Sequence, residues 1–121
     1  MLVDSDIFID YLRGRPEAEK FLEAHVDRLH ISSISVAELF QGVREGKERE
    51  ALESMLEVLT VLDLTTEIAT EGGLLRRSYR KSHGSGLADC LIAATALKHD
   101  LEFFTLNIKH YPMVKRKEAP Y

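Results

Sequence analysis

Four short apolar runs alternate along the chain with longer segments of helical periodicity, and this alternation constrains the fold more than any other feature. Short buried strands that alternate with helices form a parallel sheet covered on both faces. The sequence therefore predicts an α/β fold with a parallel sheet of four to five short strands flanked by helices. We expect strands at 2–3, 29–32, 61–64, 102–105 and near 113, and helices at 6–13, 16–25, 35–44, 47–59, 67–81 and 87–99.

Length and composition restrict the class of protein. The 121 residues contain only three prolines and no linker-like stretch, so we expect a single domain over residues 1–121. No apolar run is long enough to span a membrane, and the N-terminus lacks the plan of a signal peptide, which predicts a cytoplasmic protein without a membrane partner. The single cysteine, Cys90, excludes an internal disulfide and a cysteine-rich zinc site.

The first ten residues, MLVDSDIFID, place acids directly after the first apolar run. Ligands of parallel α/β sheets bind outside the carboxyl ends of the strands, where Asp4 is expected. A purely structural role is also open for Asp4, since the following helix needs an N-cap, although Ser5 and Asp6 could provide one. Asp10 is expected to form a local pair on the surface.

Glu38 follows the second predicted strand and has two interpretations. The residues SVAE match the capping-box pattern, in which Glu38 would fold back on the amide of Ser35. Alternatively, Glu38 lies near the same rim of the sheet as Asp4, because its helix follows a buried strand.

Asp89 is the one carboxylate near the start of an otherwise apolar helix, LADCLIAATAL. The helix dipole favours an acid there, but a buried charge needs a partner, and the nearest cation in sequence is His83. Asn107, after the fourth strand, is either an oxygen ligand at the rim or a turn residue. Clustered carboxylates repel one another unless a cation joins them, and oxygen ligands suit Mg²⁺ or Mn²⁺.

Basic residues are concentrated in two segments of a chain whose formal net charge is −4. Residues 72–88 contain no acid, and a second basic group occupies 115–117. These segments are either solvated surfaces or sites for a polyanion. The first segment contains Arg76, Arg77, Arg80, Lys81 and His83.

Four blocks in order along nearly the whole chain resemble the PIN domain family, specifically toxins of the VapC type. The blocks are LVDSDIFIDYLRG, SVAELFQGV, ADCLIAATALKHDLEFFTLN and KHYPMV. The resemblance implies a metal-dependent endoribonuclease that cleaves single-stranded regions of RNA, with a small cognate antitoxin and a homodimeric state. It also implies Mg²⁺ or Mn²⁺ as the cofactor.

The resemblance assigns roles to individual positions. Asp4, Glu38 and Asp89 would bind the metal and be catalytic, together with Asn107 at a position where the family often has Asp. Ser5 and Thr105 match hydroxyl-bearing positions beside the pocket, where they would contact the substrate. The predicted contacts to RNA, or alternatively to an acidic antitoxin, come from Arg76, Arg77 and Arg80.

Three alternatives remain open from the sequence. The Asp4-Ser5-Asp6 triplet resembles the DxD opening of haloacid-dehalogenase-like phosphohydrolases, although Phe8 does not fit that pattern. A receiver-like signalling domain also clusters acids around Mg²⁺, but there the key acids follow strands. The third alternative is a PIN-like dimer that only binds a partner.

Overall fold

The computed structural model describes residues 1–79 and 84–121. Within those residues, five parallel strands form one sheet in the order β3-β2-β1-β4-β5. The predicted α/β fold is confirmed. The strands are β1 (Leu2–Val3), β2 (His30–Ser32), β3 (Thr60–Leu62), β4 (Phe103–Phe104) and β5 (Lys117–Glu118). The α-helices are α1 (Ser5–Leu12), α2 (Pro16–Ala24), α3 (Ser33–Gly42), α4 (Lys47–Val58), α5 (Thr66–Tyr79) and α6 (Leu87–Lys98), with 3₁₀ turns at Val26–Arg28 and Ile108–His110.

Both faces of the central strands are buried. Successive strand residues point to opposite faces, so Leu2 and Phe103 belong to one apolar cluster while Val3 and Phe104 belong to another. The cluster around Val3 includes residues from α1, α2, α3 and α4, whereas the cluster around Leu2 includes residues from α6. This double burial explains why the strands read as short, continuous apolar runs.

The order of the strands fixes where a ligand can bind. β1 lies at the centre and pairs with both β2 and β4. From β1 the chain proceeds to β2 on one side and only later to β4 on the other, which makes the β1–β4 edge a topological switch point. Asp4 and Thr105 follow directly after these two strands, at their carboxyl ends.

The first helix begins and ends at residues that the sequence marks. Asp4 is the N-cap of α1, since its side chain accepts a hydrogen bond from the Ser5 amide. After Arg13 the chain reaches Gly14 with φ of +80°, a left-handed conformation that glycine adopts without strain. The helix therefore projects rigidly from the strand end that carries Asp4.

The start of α3 differs from the prediction. The helix begins at Ser33, and its N-cap is Ser32, whose hydroxyl accepts a hydrogen bond from the Ile34 amide. Ser35 therefore lies inside the helix, where its buried hydroxyl has no hydrogen-bond partner in the part of the chain that the structure describes. The capping box predicted for Ser35 and Glu38 is wrong, because Ser32, the last residue of the buried strand, caps the helix instead.

The last strand also differs from the prediction. It forms at Lys117–Glu118 instead of near Met113, where Pro112 has no N–H to donate to a sheet. The pairing is set by amides of β4 and the residue after it, since Phe103 donates to the Arg116 carbonyl (2.9 Å) and Thr105 donates to the Glu118 carbonyl (3.1 Å).

Helices α5 and α6 approach each other closely at Gly72. A Cβ atom on this glycine would lie 2.5 Å from Leu91 Cδ2 and 3.1 Å from Leu91 Cα, so a larger residue would force the helices apart. This contact holds the end of α5 beside the start of α6, where Asp89 lies. Cys90 is fully buried in α6. Among the helices of residues 1–79 and 84–121, none is long and apolar enough to cross a membrane.

Candidate active site

Asp4 is the most enclosed carboxylate at the carboxyl edge of the sheet, with only 4% of its surface exposed. Its Oδ1 accepts the Ser5 amide (2.8 Å), and its Oδ2 accepts the hydroxyls of Thr105 (2.7 Å) and Tyr111 (3.1 Å). Burial raises the pKa of Asp4 above its ordinary value, and the negative charge of Asp89 adds to this, although the three hydrogen bonds oppose it.

Glu38 reaches the same edge from the second turn of α3. Its Oε1 accepts a hydrogen bond from the Ser5 hydroxyl at 3.1 Å. Partial burial raises the pKa of Glu38, and the charges of Asp4 and Asp89 raise it further. Ser5 therefore links two of the predicted carboxylates, through its amide to one and through its hydroxyl to the other.

Asp89 enters the site from the first turn of α6. Its Oδ2 accepts the Gly86 amide (3.2 Å) and lies 3.7 Å from His110 Nδ1, while its Oδ1 lies 3.2 Å from the Tyr111 hydroxyl. Much of α6 is buried, as expected, but the Asp89 side chain itself is 25% exposed. His83, the cation nearest in sequence, lies outside the described residues.

Asn107 is connected to the site through Asp6. The Asp6 Oδ2 atom accepts the Leu106 amide (2.9 Å) and the Asn107 side-chain amide (3.2 Å), with the Thr105 hydroxyl at 3.4 Å. The other oxygen, Oδ1, is buried and has no hydrogen-bond partner of normal geometry within residues 1–79 and 84–121. Burial, followed by the charge of Asp4, raises the pKa of Asp6 to about 7.

The structure thus brings the predicted pocket residues into one hydrogen-bonded network. Ser5 joins Glu38 to Asp4, and Thr105 joins Asp4 to the Asp6–Asn107 pair. Thr105 is fully buried and Ser5 nearly so, which means that both hydroxyls orient carboxylates from inside the protein. Their predicted contact with substrate stays a prediction.

The predicted basic residues lie at the end of α5. Arg76 is partly buried, and its Nη1 atom is fully buried without a hydrogen-bond partner among the described residues. Arg77 is exposed, while Arg80 lies outside the described residues. The α5–α6 contact places Arg76 close enough to Cys90 to affect the pKa of its thiol, and therefore near the start of α6.

Sequence reasoning assigned no role to Tyr111, although the KHYPMV block contains it. The Tyr111 hydroxyl contacts both Asp4 and Asp89, and burial together with these carboxylates raises its pKa far above the ordinary value, so it remains protonated. Asp6 was expected to serve at most as a cap, and His110 was not considered. The one sequence signal that could have drawn attention to His110 and Tyr111 is that they follow Asn107 closely in the chain.

The side chains that meet at this site carry more negative than positive charge. Within residues 1–79 and 84–121, the hydrogen-bond donors to Asp4, Asp6 and Glu38 are amides and hydroxyls, and the only ion pair of Asp89 is with His110. Oxygen donors with raised pKa values fit Mg²⁺ or Mn²⁺ in their chemistry.

As the described residues are arranged, their carboxylates do not form a ready-made ion site. Among the described residues, no three His, Cys, Asp or Glu side chains are arranged so that they could hold one ion together. The hydroxyl of Tyr111 lies between Asp4 and Asp89, and the hydroxyl of Ser5 contacts Glu38. Bridging waters or a rotation of side chains would therefore be needed for a shared ion.

A family comparison decides what kind of domain carries this site. The family model for the PIN domain matches residues 1–114. The chain belongs to the PIN domain family. Its parallel sheet is therefore the sheet of a PIN domain, as the ordered sequence blocks indicated.

Relatives of this PIN domain protein include named ribonucleases. Ribonuclease VapC10 of Mycobacterium tuberculosis is 43% identical over 100% of this chain and 92% of the relative. Among solved structures, a toxin–antitoxin complex from Klebsiella pneumoniae is similar with a TM-score of 0.84, at 30% identity over 99% of this chain and 97% of the other. VapBC2 from Rickettsia felis, solved with a DNA fragment from its promoter, has a TM-score of 0.75 at 27% identity over 98% and 96% of the two chains.

These similarities bear on the alternatives. A match to the PIN domain over nearly the whole chain does not favour a haloacid-dehalogenase-like or receiver-like protein. The structure gives a further reason against these two classes. Asp89 lies on a helix and not after a strand, and the Asp6 carboxylate accepts a hydrogen bond from the Leu106 amide in the turn after β4.

Proposed function

We propose that this PIN domain protein is an endoribonuclease, the toxin of a toxin–antitoxin pair, which cleaves single-stranded regions of RNA with Mg²⁺ or Mn²⁺. The observation that carries the proposal is the cluster of carboxylates at the β1–β4 edge, whose partners among the described residues are almost all neutral. The names of the similar proteins, a ribonuclease and toxin–antitoxin complexes, support the same reaction and the same partner.

In this proposal, Asp4, Glu38 and Asp89 hold the ion, in part through water, and Asn107 completes the pocket. A bound divalent ion supplies a water of lowered pKa and offsets the charge that develops on the phosphodiester. The chain's own contribution is orientation, because Ser5 fixes the carboxylate of Glu38 while buried hydroxyls fix that of Asp4. Carboxylates held on a strand end and on helices are more precisely placed than carboxylates on loops.

We further propose that Arg76 and Arg77 hold the RNA backbone beside the pocket, together with Arg80. Arg77 is exposed at the end of α5, which leaves its guanidinium accessible to a phosphate oxygen, whereas the Nη1 atom of Arg76 is buried and would have to move to reach one. Phosphate contacts of this kind release counterions, so substrate affinity should fall as the salt concentration rises. An acidic antitoxin is the other candidate occupant of these arginines.

The proposal includes two protein partners. One is a small cognate antitoxin that blocks the pocket, and the other is a second copy of this chain in a homodimer. Cleavage of cellular RNA and control by an antitoxin would both take place in the cytoplasm, and no membrane partner is proposed.

The experiment that tests the reaction maps new RNA ends. The purified full chain, free of antitoxin, is incubated with total cellular RNA in Mg²⁺ or Mn²⁺, with chelator as one control and Asp89→Asn as the other. Asp27→Asn is the matched control, since Asp27 is an exposed aspartate that precedes β2 and therefore lies at the opposite edge of the sheet. We expect discrete new ends that disappear with chelator and in Asp89→Asn but persist in Asp27→Asn. Cleavage that survives both chelator and Asp89→Asn would show that another agent cuts the RNA.

A further inference from the structure

The hydroxyl of Tyr111 spans the gap between two carboxylates that come from different elements. It lies 3.1 Å from Asp4 Oδ2, at the end of β1, and 3.2 Å from Asp89 Oδ1, in α6. The side chain is 1% exposed, and its ring packs edge-on against Phe103 of β4 with the ring centroids 4.6 Å apart. The hydroxyl is therefore held in place by the core and not by the carboxylates alone.

The hydrogen bonds leave few lone pairs free on these carboxylates. Asp4 Oδ2 accepts the Thr105 hydroxyl and also faces the Tyr111 hydroxyl, so both of its lone pairs are filled whenever Tyr111 donates to it, while Oδ1 accepts the Ser5 amide. On Asp89, Oδ2 faces the Gly86 amide, and Oδ1 faces Tyr111. The tyrosine thus determines which oxygens of both carboxylates remain available to a ligand.

One hydroxyl cannot satisfy both carboxylates. A tyrosine O–H has a single hydrogen, so at any moment it donates to Asp4 or to Asp89, and the other contact brings two oxygen atoms together without a proton. The hydroxyl therefore orients the pair without neutralising it. A cation within reach of both carboxylates would supply the attraction that the second contact lacks.

We propose that Tyr111 is a positioning residue that sets the spacing and orientation of Asp4 and Asp89 for a divalent cation. The inference rests on the proposed function, since it assumes that these carboxylates hold the ion. The hydroxyl of Tyr111 has this role and the ring does not, because a ring without the hydroxyl would fill the same core position. Groups that hydrogen-bond to metal ligands in this way change metal affinity by about 10- to 100-fold.

The test replaces Tyr111 with phenylalanine, which keeps the ring and removes the hydroxyl. Tyr121→Phe is the matched control, because it also removes a tyrosine hydroxyl that donates to an aspartate, Asp10, at 2.7 Å. The readout is the rise in Tm of the full chain with Mn²⁺ concentration, together with free Mn²⁺ measured by electron paramagnetic resonance. We expect the Mn²⁺ midpoint of Tyr111→Phe to rise about 10- to 100-fold and that of Tyr121→Phe to stay at the wild-type value.

A second measurement does not depend on a variant. In wild-type protein labelled on its tyrosine rings, a Mg²⁺ titration should shift the Tyr111 nuclear magnetic resonance signal with the midpoint of binding and leave Tyr121 unmoved. An unchanged or lower Mn²⁺ midpoint in Tyr111→Phe, or a Tyr111 signal that stays fixed at saturating Mg²⁺, would overturn the positioning role. No metal response in the wild type would overturn this role and the proposed metal dependence together, whereas a response altered equally by both substitutions would overturn only the role of Tyr111.

Discussion

The hydroxyls of Tyr111 and Tyr121 both donate to aspartates, and the two contacts lie in opposite electrostatic surroundings. Tyr121 contacts Asp10 on the outer side of α1, where the Arg15 guanidinium lies 3.3 Å from the same carboxylate and 4.8 Å from the centre of the tyrosine ring. Tyr111 contacts Asp4 at the other end of the same helix, with a second carboxylate, Asp89, in place of an arginine.

The difference shows that the chain can pair its acids when a structural role requires it. The local pair predicted for Asp10 is present, and it is neutralised within the surface network. At the β1–β4 edge, four acids come together with neutral donors and a single histidine among the described residues. Such an arrangement costs stability on its own and is therefore best explained by a cation-dependent function.

The largest expected effect compares the two aspartates at the ends of α1. Asp4→Asn should lower the rate of RNA cleavage at least about 100-fold, because it removes a charge that the reaction requires, whereas Asp10→Asn should leave the rate near the wild-type value. Rates are compared at saturating Mg²⁺ on one RNA that contains a mapped cleavage site. If both substitutions lowered the rate equally, the distinction between the two surroundings would not hold.

A smaller effect is expected in the dependence of stability on pH. The pKa of Asp6 is raised from 3.8 to about 7, so the folded protein binds this proton more tightly than the unfolded chain does. Its contribution to the free energy of unfolding is therefore fully present below pH 3.8 and is lost as the pH rises through about 7. The raised pKa values of Asp4 and Glu38 act in the same direction.

In chelator, we therefore expect a lower Tm at pH 7.5 than at pH 5.5, and Asp6→Asn should reduce this difference. Thermal unfolding in matched buffers measures it. Addition of Mg²⁺ at pH 7.5 should raise the Tm again, since binding to deprotonated ligands stabilises the folded state. A difference in Tm that Asp6→Asn leaves unchanged would contradict the assignment to Asp6.

The smallest effect on stability is expected where Asp10 is paired with Arg15 and Tyr121. Arg15→Gln removes the guanidinium that lies beside Asp10 and over the ring of Tyr121. Because this network is exposed, the Tm should fall by less than about 3 °C. The loss should disappear at about 1 M salt, which screens surface charges. A change in the Mn²⁺ midpoint of this variant would show that the two regions are coupled.

The sequence predicted the parts of the fold that depend on local patterns. The short apolar runs predicted the strands, and the acid directly after the first run predicted where Asp4 lies, because the end of a parallel strand fixes the edge of the sheet. The start of α3 was placed wrongly because several serines near that point could each cap a helix, and only the end of β2 selects Ser32.

The contacts of Tyr111 could not be predicted in the same way. The tyrosine follows an irregular segment and reaches Asp4 across 107 residues of sequence, so no periodic pattern links the two. The hydrogen bond from Asn107 to Asp6 likewise joins residues that lie 101 positions apart in the sequence. Side chains that meet only after the sheet has formed leave no local signal.

The most direct test of the carboxylate pocket is a crystal of the full chain soaked in Mn²⁺, measured for anomalous scattering. We predict a Mn²⁺ peak among Asp4, Glu38 and Asp89, with direct ligand distances of about 2.0 to 2.2 Å and the remaining positions filled by water, and no peak there in Asp89→Asn. A peak only elsewhere on the surface, or none at a saturating concentration, would contradict the assignment of this pocket as the metal site.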